Sequence, residues 1–456
     1  MYRSAKTSGG VATTPGSYEL NSVKLTMNDG QVIEIKSLVS ELVINESLFQ
    51  QSIQVDIKIV DGFDLLQKSH LSGGEKIDIR VRRLDNTQES YSKARNKFDI
   101  TCYIAEIYDH SKPKPGIQFY RISCLSEHAF ISNTKSISRS FNGNANALVR
   151  DICVNDLKFT GKTNFADKNL PAVSGIYPNL KPLEAITWLL RNSDDEETPF
   201  FFYETLSDGL QFNSYGELVD QETYKTYNNT PFFVNEFETK EHFEEASAKI
   251  IEMTSDFNMS KYKQINDGAF SAVVHSIDIS TKSYNVVNFN HEDSNKVKLN
   301  QYKGFSKNIQ FDGSSLNESY DSKEFFISTN SNAFGNNGSQ KLNYHEKIKD
   351  SISNKNSYFH NIKFMGLDLA LYGDFKLCPG KIINLKISKS TDENILSSKE
   401  REGMIDKLLS GKYLVASVAH IFDGNEYTCD IGVQKDSLGY DLDSRTSIGK
   451  TQGEGL

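Results

Sequence analysis

Two short runs, His291-Glu292-Asp293 and His345-Glu346-Lys347, start as the helix of a zinc protease starts. That helix needs a second imidazole four residues after the first, so that both rings face one metal. Asn295 and Lys349 stand there instead, and both runs read as solvated polar residues. Asp194-Asp195-Glu196-Glu197 offers four carboxylates to a divalent cation, but adjacent acids lack the alternating ligand spacing of a calcium loop. No GxSxG, GxxxxGK[ST] or GxGxxG occurs, and Gly73-Gly74 and Gly335-Asn-Asn-Gly338 precede no phosphate-binding helix, so they read as turns. Trp188 falls at helical spacing with Leu183, Ala185 and Leu189, a stripe that packs a core more often than it stacks a ligand. Glycoside hydrolysis would need two carboxylates set across a cleft, and no such pair can be nominated. The expectation is a protein with no active site, no cofactor and no metal.

Composition narrows the classes. The chain has 456 residues, enough for two to four domains, with 38% hydrophobic and 11% aromatic residues and only nine prolines. Abundant Tyr and Phe favour strands. The five cysteines, Cys102, Cys124, Cys153, Cys378 and Cys429, form no CxxC pair and are odd in number, which argues for buried thiols rather than a disulfide framework. A net charge of -9 without a basic stripe argues against specific nucleic-acid binding. No apolar run reaches the roughly 20 residues of a membrane helix, and the first residues lack the apolar core of a secretory signal.

The elements that must position any function are mainly strands. Alternation starts at Tyr18 and returns through residues 31–35, 52–60, 75–83, 98–110 and 117–125, broken at Asn28-Asp29-Gly30, Ser72-Gly73-Gly74 and Lys112-Pro113-Lys114-Pro115-Gly116. Residues 39–49 fit strand or helix and are taken as strand. Residues 144–157 and the run opened by Pro182 have helical spacing. Ser207-Asp208-Gly209 marks a hairpin between two apolar runs. Strands resume from Ala246 to Asn290, a polar Asn/Ser-rich stretch at 291–342 reads as loop or insertion, a helix is expected from Tyr344, and strands close the chain.

One pattern occurs twice. Gly74 with Ile77, Ile79 and Val81, and Gly380 with Ile383, Leu385 and Ile387, share a turn glycine, three apolar residues at period two and a cation (Arg80, Lys386) between the last two. Tyr103-Ile104-Ala105 then echoes Tyr413-Leu414-Val415, and one more strand with an aromatic and a cysteine follows each, Phe119 to Cys124 and Tyr427 to Cys429. Any two amphipathic strands after a glycine look alike over eight residues. Ordered repetition over three strands favours a duplication. Two copies per chain would let a homotrimer set six similar units around one axis.

Residues 47–82 and the ending 371–387 with 410–422 resemble the baseplate hub proteins of T-even-like contractile-tailed bacteriophages, and more distantly the hub part of type VI secretion spike proteins. The resemblance covers most of residues 18–435 in element order. It implies a mainly β fold with a mixed α+β portion: two similar antiparallel β-barrel tube domains plus an inserted α/β domain. Residues 1–17 would be a flexible arm, 18–134 the first tube domain, 135–245 and about 285–355 the connecting domain, 246–284 and 356–435 the second tube domain, and 436–456 a flexible tail. No spike repeat follows the last barrel, so a separate spike chain would complete the needle.

The function implied is structural: a baseplate hub subunit of the virion tail, assembled in the host cytoplasm, whose homotrimeric ring adapts a hexameric tail tube to a trimeric central spike. Its other partners would be tube or tube-initiator proteins and baseplate wedge proteins, with DNA only passing through an acidic channel and no membrane insertion. Two other classes stay open from the residues alone. One is a tail-associated cell-wall hydrolase with its catalytic domain in 135–355, the other a receptor-binding tail protein using Tyr-rich β surfaces.

Overall fold

A stretch in which every second residue is apolar makes a strand with one dry face, and such stretches dominate this chain. The structure is a computed structural model describing residues 15–84, 97–165, 173–192, 198–229, 240–256, 261–279, 281–294, 299, 310–311, 313–329, 344–388, 405–406, 408–424 and 426–436. The N-terminal quarter supplies β1 (Tyr18–Thr26), β2 (Val32–Glu34), β3 (Val39–Ser47), β4 (Gln54–Asp61), β5 (Lys76–Arg83), β6 (Lys97–Lys114) and β7 (Ile117–Leu125). The ambiguous run at 39–49 is therefore strand up to Ser47, with Leu42, Ile44 and Glu46 inward.

The middle of the chain holds β8 (Ser140–Gly143), β9 (Thr163–Phe165), β10 (Val173–Ile176), β11 (Phe200–Thr205), β12 (Gly209–Ser214) and β13 (Thr226–Asn228). A helix at Ala145–Asp151 runs into a π turn at Ile152–Asp156, and Pro182 opens the helix Pro182–Asn192. The Asp208-Gly209 turn joins β11 to β12 as expected, with Thr205 opposite Gly209. After these come β14 (Ile250–Asp256), β15 (Ser271–Asp278), β16 (Ser283–Asn290), β17 (Gln310–Phe311), β18 (Ser314–Ser315) and β19 (Glu324–Thr329). The helix Tyr344–Ile362 leads into β20 (Met365–Tyr372), β21 (Ile382–Lys386), β22 (Gly411–Phe422) and β23 (Tyr427–Lys435).

Thirteen strands form one sheet in the order β14-β20-β23-β22-β3-β4-β7-β6-β5-β1-β2, with β21 on β22 and β13 on β21. Every pairing in it is antiparallel except β13 on β21. The fold is mainly β with a mixed α+β portion, as the sequence led us to expect. The N-terminal and C-terminal strands share this one sheet, joined where β22 meets β3.

Residues 246–284 divide between two sheets. β14 lies at the end of the large sheet, whereas β15 pairs with β16 and, in parallel, with β19. The Asn/Ser-rich stretch expected to be loop thus contributes three strands, β17, β18 and β19, and in the longest of them Phe325 and Ile327 alternate with neighbours along Glu324–Thr329 and suit a pleated surface.

One apolar core runs beneath both ends of the large sheet. It includes Ile57, Ile77, Ile79 and Val81 from the N-terminal part and Leu369, Ile383, Leu385 and Val433 from the C-terminal part. Each such fully buried side chain contributes roughly 2 kcal/mol. A second core fills the mixed portion, where Phe200 and Phe212 stack at 4.8 Å and Trp188 packs edge-on to Phe141 at 5.8 Å. Leu48, Phe201, Tyr203, Tyr358 and Leu414 belong to a third cluster, tying the mixed portion to the large sheet.

The helix Ala145–Asp151 has only two turns and depends on its cap. The Asn144 side chain accepts a hydrogen bond from the Ala147 amide at 2.8 Å. Asn144→Ala is expected to cost about 1 kcal/mol, read as a lower urea midpoint at unchanged slope, because an amide in the first turn loses its side-chain acceptor. An unshifted midpoint would show the cap to be dispensable.

Candidate functional site

The two expected copies of the glycine-strand pattern occupy matching positions. Gly74 and Gly380 both have left-handed backbones, at φ +87° and +86°. The Gly74 amide donates to the Ile104 carbonyl at 2.7 Å and the Ile104 amide to the Glu75 carbonyl at 2.9 Å. The Gly380 amide donates to Val415 at 2.9 Å, and the Val415 amide to Lys381 at 2.9 Å. Ile77, Ile79 and Val81, like Ile383, Leu385 and Ile387, are buried, while Arg80 and Lys386 point outward.

The correspondence continues beyond the expected residues. The strand order β3-β4-β7-β6-β5 is matched by β14-β20-β23-β22-β21. Each set has a bulge in the strand paired with the glycine-turn strand and one in its first strand: β6 shifts register between Ile104 and Glu106 against β7, and β22 between Val415 and Ser417 against β23. Likewise β3 shifts between Val39 and Glu41, and β14 between Ile250 and Glu252. A bulge re-aims a strand at a fixed residue, so two shared bulges constrain the match more than alternation does. They also move the sequence match by one residue. Ile104 corresponds to Val415, so Tyr103 matches Leu414 rather than Tyr413, and Cys124, opposite Ile104, matches Val433 rather than Cys429.

The bulge in β22 changes its partner. Residues Gly411–Leu414 pair with β21, whereas Ser417–Phe422 pair with β3, from Ser417 opposite Ser47 to Phe422 opposite Leu42. This seam joins the two strand sets within one chain. Buried at its centre, the imidazole of His420 lies 3.5 Å from Glu46, with Tyr427 Oη at 2.8 Å and Cys429 Sγ at 3.2 Å from Nδ1. Glu46 Oε1 accepts from the Leu206 amide at 3.2 Å, while its Oε2 makes no hydrogen bond. Burial opposes the imidazolium, but the Cys429 sulfur and the Glu46 carboxylate outweigh it and push the His420 pKa up to about 10.

Of the histidine and acidic runs first considered for chemistry, only His291-Glu292-Asp293 has side chains among the described residues. His291 Nδ1 meets the Ser357 hydroxyl at 2.9 Å, anchoring the helix Tyr344–Ile362. The His345 and Glu346 side chains, and Asp194 to Glu197, lie outside the described residues. Among the described residues no three metal-ligating side chains cluster. A cleft of about 870 Å³ opens beside Leu48, Trp188, Phe201, Lys355 and Phe359, and none of the described residues that line it is a carboxylate.

No family model matches the sequence, and no curated protein matches it. Solved structures do. The tail protein from Neisseria meningitidis MC58 matches at a TM-score of 0.52 and 10% identity, over 92% of this chain and 97% of that one. The chain has the fold of a tail protein. The prophage MuSo2 43 kDa tail protein from Shewanella oneidensis matches at 0.49 and 11% identity, over 92% and 99% of the two chains. An Escherichia coli type VI secretion component, itself structurally similar to T4 bacteriophage tail proteins, matches at 0.41 and 9% identity over 93% and 78%.

The sequence reading missed Glu46 and His420, and it read residues 246–284 as strand of the second unit without the partner of β14, which is β20. A signal existed for the first two. Each interrupts an inward-facing apolar series, Leu42-Ile44-Glu46 in β3 and Val418-His420-Phe422 in β22, and a charge at an inward position demands a partner.

Proposed function

We propose that the chain is a structural hub subunit of a virion tail baseplate, three copies of which form a ring adapting a hexameric tail tube to a trimeric spike. The observation that carries this reading is the repeated strand order with its shared bulges: two like units per chain turn threefold symmetry into six like positions. The mixed portion between them is the connecting domain, and the tail fold of the Neisseria protein supports the same role. Tube, spike and wedge proteins are the partners, DNA passes through the ring, and assembly in the host cytoplasm is the activity, with no catalytic step. The charge of -9 suits a wall that must not retain DNA.

Light scattering on the purified protein tests this. The expected mass is three times the 51.4 kDa chain, and negative-stain class averages should show rings with six lobes. A monomer at every concentration, or a closed ring of another number of lobes, overturns the reading.

A further inference from the structure

The apolar cleft lies beside the place where the described chain ends. Its aromatic lining comes from the helix Pro182–Asn192 (Trp188), from β11 (Phe201), from the helix Tyr344–Ile362 (Phe359) and from the turn after β3 (Phe49). Phe49 and Phe359 are 44% and 37% exposed, so water reaches this wall. The charged residues of the described lining, Arg191 and Lys355, are both cations. The Lys355 ammonium donates to the Arg191 carbonyl at 2.9 Å. A third cation, Lys363, stands 5.1 Å from the centre of the Phe49 ring, and the side chains of Arg191 and Lys363 are exposed.

The last described residue, Asp436, is held close by. Its Oδ2 accepts from the Leu299 amide at 2.5 Å and from the Tyr215 hydroxyl at 3.3 Å. Tyr215 packs on Tyr358 with ring centroids 5.5 Å apart, and Tyr358 immediately precedes Phe359 of the cleft. Leu48 and Phe201 belong both to the cleft and to the cluster that holds Tyr215 and Tyr358. One aromatic contact thus separates Asp436 from a residue of the cleft.

Residues 437–456, expected to form an arm, lie outside the described residues. Their first part is Leu438-Gly439-Tyr440-Asp441-Leu442-Asp443, in which apolar residues fall at period two. In an extended chain successive side chains point to opposite sides, so Leu438, Tyr440 and Leu442 share one face and Asp441 and Asp443 the other. The six residues from 437 to 442 span up to about 20 Å, more than the width of two packed rings. The stretch 193–197, which adjoins the cleft in sequence and also lies outside the described residues, is Ser-Asp-Asp-Glu-Glu and has no apolar side chain to fill it.

We propose that residues 438–443 of this chain seat in the cleft, their apolar face on Phe49, Trp188, Phe201 and Phe359 and their two acids turned to Arg191 and Lys363. The apolar side chains leave water, and the acids meet cations at the exposed rim. So seated, the stretch straps the helix Pro182–Asn192 of the mixed portion to the helix Tyr344–Ile362, which leads into the large sheet. The strap forms within each copy and does not depend on the ring.

Photochemical cross-linking in the full-length protein tests it. Tyr440→p-benzoylphenylalanine, irradiated, should give a product of monomer size whose adducts map to peptides containing Phe49, Trp188 or Phe359. Adding Leu438→Ser with Leu442→Ser should remove most of that yield. Trp188 is the only tryptophan, so its emission reports on the cleft directly. The triple variant Leu438→Ser, Tyr440→Ser, Leu442→Ser should shift that emission to longer wavelength, and Ile448→Ser should not. Adducts confined to other surfaces, or an emission that the triple variant leaves unmoved, overturn the strap. Adducts on cleft peptides found only in cross-linked dimers or trimers overturn it as a contact within one copy and make the cleft a joint between copies.

Discussion

Gly380→Ala is expected to destabilise the protein by about 3 kcal/mol, and Gly74→Ala by only about 1 kcal/mol, although both glycines have the same backbone conformation. The shared part of the cost is the left-handed backbone, which penalises any Cβ by roughly 1–2 kcal/mol. The difference lies in what the new methyl meets. At Gly74 nothing lies within 4 Å. At Gly380 a Cβ would fall on the Tyr203 hydroxyl and stand 3.3 Å from Leu218 Cδ2. Tyr203 is only 2% exposed and belongs to the third core cluster, so the ring has nowhere to swing. Overpacking of this kind costs roughly another 1–3 kcal/mol. Thermal unfolding of the two variants side by side decides the matter, since equal losses would mean that the mixed portion does not press on the C-terminal glycine turn.

That comparison also shows how far sequence alone could reach. The glycine-strand pattern was legible because a turn glycine and apolar residues at period two are local, and local rules act within a few residues. The match slipped by one at Tyr413 because the two tyrosines were set against each other by type, whereas the register that makes Ile104 correspond to Val415 is fixed by the partner strands β7 and β23. β14 was read as strand but without a partner, because Ile250–Asp256 pairs with β20, more than a hundred residues later. No spacing rule spans such a distance. The same holds for β19, whose parallel pairing with β15 turned an apparent loop into the edge of a second sheet. The three strands of that sheet, β16, β15 and β19, bear Ile277, Tyr284, Val286 and Phe326 on an exposed face, which alternation foretells only if both partners are known.

The failure of the two histidine runs to match a zinc-protease helix was legible for a different reason. Catalysis needs particular side chains, and the histidine runs lacked theirs in the sequence itself. What the sequence could not disclose was that Glu46 and His420, in the first and last parts of the chain, meet at the seam.

That pair sets the second large effect. Glu46→Gln is expected to cost about 3–5 kcal/mol at neutral pH, because it leaves a buried imidazolium without its counter-charge and so breaks the pair from one side only. The loss has a pH signature. The His420 pKa is about 10 in the folded chain against an ordinary 6.5, so the native state holds that proton more tightly than the unfolded chain. The resulting stabilisation is complete below about pH 6.5 and is lost as pH rises through 10. Lys435 acts in the opposite sense. Burial pushes its pKa down to about 8, so its penalty fades as pH rises from 8 towards 10.5. The decisive quantity is therefore the difference in Tm between the native chain and Glu46→Gln, measured by calorimetry from pH 6 to 10. It should be largest near pH 6 and shrink steadily on the alkaline side. A difference that stays constant across this range would mean that His420 is neutral in the seam, and that the strands are joined there by packing and main-chain hydrogen bonds without an ion pair.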